Sequence, residues 1–202
     1  MIANCAQLKA MVADYLARSD LSAQMHGFIR LFEAKTNRRL AVAGQEIVTT
    51  ITPDINGVVA LPADFSSIRE VVALTVPSRV LDSVTKSFAD SQYSSATSGI
   101  PACYYVVGAS LYPVPVTASG IKLVYYAGVS GLNADTDTNW LLTKNPDLYL
   151  YGTLAESCAF LMDDQAAARW QSAHDKSIAE IRQQDRSVRW SGGAMRIKEV
   201  TP

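Results

Sequence analysis

Hydrophobic residues change period twice along the chain, from helical to alternating and back, and this restricts the fold more than any other feature. From Ala6 to Ala17, the residues Leu8, Met11, Val12, Tyr15 and Leu16 fall at the i, i+3, i+4, i+7 and i+8 positions of one amphipathic helix. Arg18-Ser19-Asp20 interrupts that stripe and offers an N-cap. Leu21, Met25, Phe28, Ile29 and Phe32 then repeat the spacing in a second helix that ends near Leu40. Helices joined by so short a turn pack antiparallel.

Beyond Gln45 the period becomes two. Glu46 to Thr52 is β-branched and alternating, Pro53-Asp54-Ile55-Asn56-Gly57 is a turn, and Val58 to Leu61 is expected to return as the second strand of a hairpin. Ile68 to Val76, Cys103 to Val107, Leu111-Tyr112 and Ile121 to Tyr126 predict further short strands bounded by Pro or Gly. Thr85 to Tyr93 reads as a helical excursion and Ser94 to Gly99 as a loop. Together these predict a small antiparallel sheet or sandwich.

Helical period resumes at Asn145-Pro146-Asp147, where a capping residue, a proline at the first helical position and an acid at the positive end of the dipole coincide. Apolar residues from Leu148 to Met162 cover most of that helix's circumference, which predicts a buried helix. Asp163-Asp164 separates it from a last helix with Trp170, His174, Ile178 and Ile181 on one face. The expected fold is α+β: one four-helix bundle built from the N- and C-terminal helices, with a small antiparallel β module inserted. The expected divisions are residues 1–44, the first helical hairpin; 45–137, the β module; 138–190, the second hairpin; and 191–202, an extended arm.

The arm follows from Gly192-Gly193, since glycine reaches left-handed angles without a Cβ penalty and ends helices. Past it, Met195, Ile197 and Val200 alternate with Arg196 and Lys198, offering apolar and cationic groups with no second element to pack on. Such a tail is expected to become ordered on a partner.

The formal net charge of −1 conceals an asymmetry. Residues 1–45 hold six basic against three acidic groups, 46–164 five against twelve, and 165–202 seven against four. Basic ends and an acidic middle suit contacts between unlike faces of neighbouring copies, and equally suit solvated helix surfaces of mixed sign. Cys5, Cys103 and Cys158 are few, odd in number and far apart, which predicts free core thiols rather than a disulfide framework or a zinc site. The most continuous apolar run falls short of the roughly 20 residues that span a bilayer. With no basic region leading into an apolar core at the N-terminus, neither a signal peptide nor a membrane anchor is expected, and the expected compartment is cytosolic.

Motifs for chemistry are missing: no GxSxG, GxGxxG, phosphate loop, HExxH or EF-hand loop occurs. Of the two histidines, His174 could reach Cys158 across a helix interface, but packing explains it better. Asn133, Asp135 and Asp137 read as a turn before they read as cation ligands. Tyr104, Tyr105, Tyr112, Tyr125 and Tyr126 could stack on bases, but the segment is acidic where a phosphate groove must be basic, so cross-strand packing is the expectation. No catalytic residue, metal or cofactor is expected.

Phe28-Ile-Arg-Leu-Phe-Glu-Ala-Lys-Thr-Asn-Arg-Arg-Leu40, Leu61-Pro-Ala-Asp-Phe65, Leu111-Tyr-Pro-Val-Pro115, Thr138-Asn-Trp-Leu-Leu142, Asn145-Pro-Asp-Leu-Tyr-Leu-Tyr-Gly152 and Arg189-Trp-Ser-Gly-Gly193 recur in the same order of elements as one family. In these the chain resembles the head-to-tail adaptors (connectors, or gatekeepers) of tailed bacteriophages, most of all the podovirus type called tail tubular protein A. The resemblance implies a structural virion protein, made in the host bacterial cytoplasm and placed at the head–tail junction. It implies a homo-oligomeric ring, typically of twelve copies, docked on the portal protein, with the β module against a tail nozzle or tail tube protein. Double-stranded DNA would pass through the channel without sequence-specific binding during packaging and ejection. Matching the family's portal-docking arm onto this sequence gives Trp190, Met195, Arg196 and Ile197 as contacts, with Arg189 and Lys198 as charge partners. Arg30, Arg38 and Arg39 are candidates for the subunit interface. A tail-end or baseplate ring protein would share these features with a different partner, while a monomeric carbohydrate- or nucleic-acid-binding module would need an exposed aromatic platform.

Overall fold

The computed structural model describes residues 2–93 and 98–190, with side-chain surroundings as far as residue 187. In chain order the elements are α1 (Cys5–Leu16), α2 (Met25–Arg39), a 3-10 turn (Ala43–Gln45), β1 (Glu46–Ile51), β2 (Val59–Ala60), β3 (Phe65–Ala73), β4 (Arg79–Val80), β5 (Asp82–Ser83), α3 (Lys86–Gln92), β6 (Cys103–Val107), β7 (Ser110–Val114), β8 (Ile121–Ala127), α4 (Trp140–Lys144), α5 (Pro146–Phe160) and α6 (Asp164–Trp190). They form two compact units: Met1–Gly44 with Val129–Pro202, and Gln45–Gly128.

The helical unit is organised around α5. Pro146 opens that helix and Asp147 sits in its first turn, as the positive end of the dipole favours. Leu148, Tyr149, Leu150, Leu154, Ala155 and Cys158 are all buried, so α5 has almost no solvent face. The Phe32 ring of α2 lies 4.7 Å from that of Tyr149, and His174 of α6 meets Phe32 edge-on at 5.7 Å. Gly152 is what lets α2 come this close: a Cβ there would stand 2.0 Å from Phe32 Cδ2 and 3.1 Å from His174 Cδ2. At the N-terminus, Asn4 Oδ1 accepts the Gln7 N–H at 2.9 Å and so caps α1.

A buried polar chain ties the loop after β8 into this unit. The Leu132 N–H and the Tyr149 hydroxyl both donate to Glu33 Oε1, at 3.0 and 3.1 Å. Asn139 Nδ2 donates to the Tyr149 oxygen at 2.6 Å and to the Ser130 carbonyl at 2.7 Å, while its Oδ1 caps α4 through the Leu142 N–H. The Val129 N–H donates to Asn37 Oδ1 at 2.8 Å.

A single four-helix bundle with one small antiparallel module is therefore not what the chain forms. Among the described residues it is mixed α+β with six helices and two four-stranded sheets. The extra helices are short: α4, five residues, is too brief to show a period and is set by the Asn139 cap, and α3 lies in the β unit. The proposed arm, 191–202, falls outside the described residues.

In the β unit one sheet has the order β1-β8-β3-β4 and the other β2-β7-β6-β5. The expected hairpin of Glu46–Thr52 with Val58–Leu61 does not form, because its strands enter different sheets. β1 pairs with β8 (Ile47↔Tyr125, Ile51↔Ile121) and β2 with β7 (Val59↔Leu111). The turn itself is present: Asp54 Oδ1 accepts the Asn56 and Val58 N–H groups, and Gly57 has φ +76° with Val116 too near for a Cβ. Nor is the module wholly antiparallel, since β5 and β6 run parallel. Val59, Val71, Leu111, Ile121, Leu123 and Tyr125 form its core.

Candidate functional site: the interaction surfaces

The sequence placed its contacts at the end of α6 and on the basic face of α2. α6 has 27 residues and so a length of about 40 Å. Ser177 and Ile178 are buried, whereas Arg182, Gln183, Gln184, Arg186 and Ser187 are exposed, so the helix continues past the part that packs. Two contacts hold the exposed part to the turn after α2: Asp185 Oδ1 accepts the Ala43 N–H at 2.7 Å, and Arg182 donates to the Arg39 carbonyl. Arg189 and Trp190 end α6, their side-chain surroundings outside the described residues. Met195, Arg196, Ile197 and Lys198 lie outside the described residues altogether.

The three α2 arginines separate. Arg39 pairs with Asp175 at 2.7 Å, and Arg30 donates to Asn133 Oδ1 at 3.0 Å. Arg38 is exposed. Asp175 loses some acidity to burial, but hydrogen bonds from Arg39, Gln171 and His174 outweigh this and hold its carboxyl below the ordinary aspartate value.

The residues weighed for chemistry sit in packed or hydrogen-bonded surroundings. Burial pushes the His174 imidazole below its ordinary value against the pull of Asp175, and its Nε2 meets no hydrogen-bond partner among the described residues. Cys158 is buried and its thiol raised by burial, as are those of Cys5 and Cys103, so none is a ready thiolate. Asp137 Oδ2 accepts the Asn133 and Ala134 N–H groups, a turn. Cys5, His26 and Asp135 converge as a metal trio would, a grouping the sequence did not reveal. Two of the three are already engaged by the chain's own cation: Lys9 Nζ lies 2.6 Å from Asp135 Oδ1 and 2.5 Å from His26 Nε2.

Tyr104 and Tyr125 are buried, and Tyr105 lies directly opposite Tyr112, their rings parallel at 4.9 Å. Each covers a face of the other, as cross-strand pairs do. Burial and a hydrogen bond to Asp64 raise the Tyr125 hydroxyl. Among the described residues, no helix is long and apolar enough to cross a membrane.

Exposed apolar side chains were not foreseen. On the helical unit they are Tyr15, Leu31, Phe160 and Met162; on the β unit, Ile55 and Val76 stand fully exposed on turns. Their signal was available only as apolar residues at positions a turn or helix corner leaves to solvent.

No curated protein matches the chain. The family model described as SU10 adaptor protein matches residues 3–197, nearly the whole chain, through both units and into the segment beyond α6. The chain belongs to the SU10 adaptor protein family, a family of phage head-to-tail adaptors.

Proposed function

We propose that this protein is a non-enzymatic structural adaptor of the virion. It assembles as a ring of twelve copies between portal and tail, with double-stranded DNA passing through the channel during packaging and ejection. One observation carries the reading: the family match spans residues 3–197, so helices, sheets and the start of the arm all fall within what the family shares. The exposed apolar residues on each unit supply surface for partners.

In this reading the helical unit forms the ring wall and the β unit meets the tail nozzle or tube. The arm docks on the portal through Trp190, Met195, Arg196 and Ile197, with Arg189 and Lys198 adding charge-assisted contacts. Arg38 is the best placed of the α2 arginines to meet a neighbour, since Arg30 and Arg39 are engaged within the chain. The test is to mix the purified protein with purified portal rings and, separately, with tail nozzle. Capture by the portal that is lost on removing 192–202 supports the reading. Capture by the nozzle alone assigns the chain to the tail end instead.

A further inference from the structure

Residues 91–121 contain no Asp, Glu, Lys or Arg, the longest such run in a chain that is 18% charged. The run includes β6 and β7, whose Tyr104 and Leu111 belong to the core of the β unit. Side chains alternate along a strand, so Tyr105 and Tyr112, paired across β6 and β7, stand on the outer face of that sheet. Together with Tyr93, Val58, Val114 and Val116 they wall a cleft of about 260 Å³, and all six are half-buried. Asp90, the one charged residue of the lining, is already paired with Lys86 at 2.9 Å. Tyrosine and aliphatic groups without free charge are what the core of a protein–protein contact is made of.

The cleft is preformed. Asp54 Oδ1 holds the turn at its edge through the Asn56 and Val58 N–H groups, and Gly57 lies so close to Val116 that a Cβ would stand 2.4 Å from Cγ1. Tyr105 and Tyr112 brace one another by stacking. Walls held this way lose little further freedom when a partner arrives. The volume falls below the roughly 300 to 1,000 Å³ of small-molecule pockets and suits an anchoring segment of a protein. The hydroxyls of Tyr93, Tyr105 and Tyr112 make no hydrogen bond among the described residues, which leaves them to donate to a partner's carbonyls. Aromatic-lined grooves take extended, proline-bearing segments in this manner, with the pyrrolidine packed on the rings and no charge required.

The chain itself exposes such a segment. Leu74-Thr75-Val76-Pro77-Ser78, the link from β3 to β4 in the other sheet, is uncharged, and Leu74, Val76 and Pro77 are all exposed, Val76 to 100%. Its shape is fixed from within: the Leu74 N–H donates to the Gly120 carbonyl at 2.9 Å, and Thr75 Oγ1 donates to the Pro77 carbonyl at 2.8 Å. The residue before a proline is also kept extended. Val76-Pro77 is thus held out to solvent as a rigid apolar knob.

We propose that Val76 and Pro77 of one copy dock in the tyrosine cleft of a second copy. The knob belongs to the β1-β8-β3-β4 sheet and the seat to the outer face of the β2-β7-β6-β5 sheet, with the core between the two sheets. The surfaces are therefore different and the contact heterologous: each copy gives its knob to one neighbour and its seat to the other, as a ring requires. This rests on the ring reading above and adds to it a contact between β units.

The test compares wild type, Val76→Lys and Val76→Glu by sedimentation over a range of concentrations, alone and on purified portal rings, with thermal melts alongside. Val76 is fully exposed, so both variants should melt as wild type does, while a charge of either sign carried into an uncharged cleft weakens association about tenfold or more. Val76→Cys protein mixed with Asn56→Cys protein should give a disulfide-linked heterodimer on mild oxidation, the native thiols being buried. If wild type assembles and both charged variants assemble equally well, this contact is wrong and the ring reading stands. If one sign weakens assembly and the other strengthens it, the knob meets a charged surface and the proposal is overturned. The same holds if the variants assemble normally but no longer bind tail nozzle, since the knob then faces the tail. A wild type that stays monomeric both alone and on portal rings sinks the ring reading and this contact together.

Discussion

The Tyr149 hydroxyl donates to Glu33 Oε1 at 3.1 Å, joining α5 to α2 at a point where the tyrosine is wholly buried and the glutamate almost so. Because the same oxygen receives the Leu132 N–H and the tyrosine receives Asn139, one pair couples two helices to the loop that follows the β unit. Tyr149→Phe would leave Glu33 short of a donor and Asn139 short of an acceptor in a dry site. Chemical denaturation should show a loss of about 1 to 3 kcal/mol.

Glu33 also predicts a pH dependence. Burial raises its carboxyl above the ordinary glutamate value, the Leu132 and Tyr149 hydrogen bonds acting the other way. With the folded value above the unfolded one, the folded state binds more protons across the interval between them, so stability falls as pH rises through it. Melting temperatures of wild type and Glu33→Gln, measured across that interval, should converge toward the acid side and diverge above it, the variant lacking the loss. A constant difference at all pH values would contradict the assignment.

Gly152→Ala should be among the most damaging small substitutions in the chain. A Cβ 2.0 Å from Phe32 Cδ2 cannot be accommodated unless α2 and α5 separate, which predicts a loss of about 3 kcal/mol or more, at the upper end for overpacking. Phe32→Leu in the same chain should recover part of that loss by vacating the contested space, as a double-mutant cycle would show.

What the sequence disclosed depended on the length of each signal. α1, α2, α5 and α6 are long enough to show a helical stripe, and Pro146 and Asp147 mark the start of α5 within a residue; the expected caps at Arg18–Asp20 and Asn145 do not form, since α2 begins after Gln24 and neither α2 nor α5 has a side-chain cap. α4 was invisible because five residues make no period, although Asn139, its cap, stands in plain sight. The strand at Glu46 was legible from alternation, but its partner was not: Ile51 aligns with Ile121, seventy positions on, and nothing local distinguishes that from a return at Val59. Among surface groups, Arg39 and Arg30 read as free cations because Asp175 and Asn133 are distant in sequence.

The thiols give a simple check. Cys5, Cys103 and Cys158 are free and buried, with burial raising each above the ordinary thiol value. Reductant should leave the melting temperature unchanged, and thiol reagents should label the native protein far more slowly than the unfolded chain.

The central claim is that the chain is a ring-forming adaptor whose arm holds it to the portal. Its most direct test is the mass of the complex formed with purified portal rings, measured by native mass spectrometry for the full chain and for a chain truncated after Ser191. The full chain should form a fixed stoichiometric ring of copies on each portal. The truncated chain should keep nearly unchanged thermal stability and no longer attach. A full chain that binds portal in no fixed number, or a truncated chain that attaches as well as the full one, would contradict it.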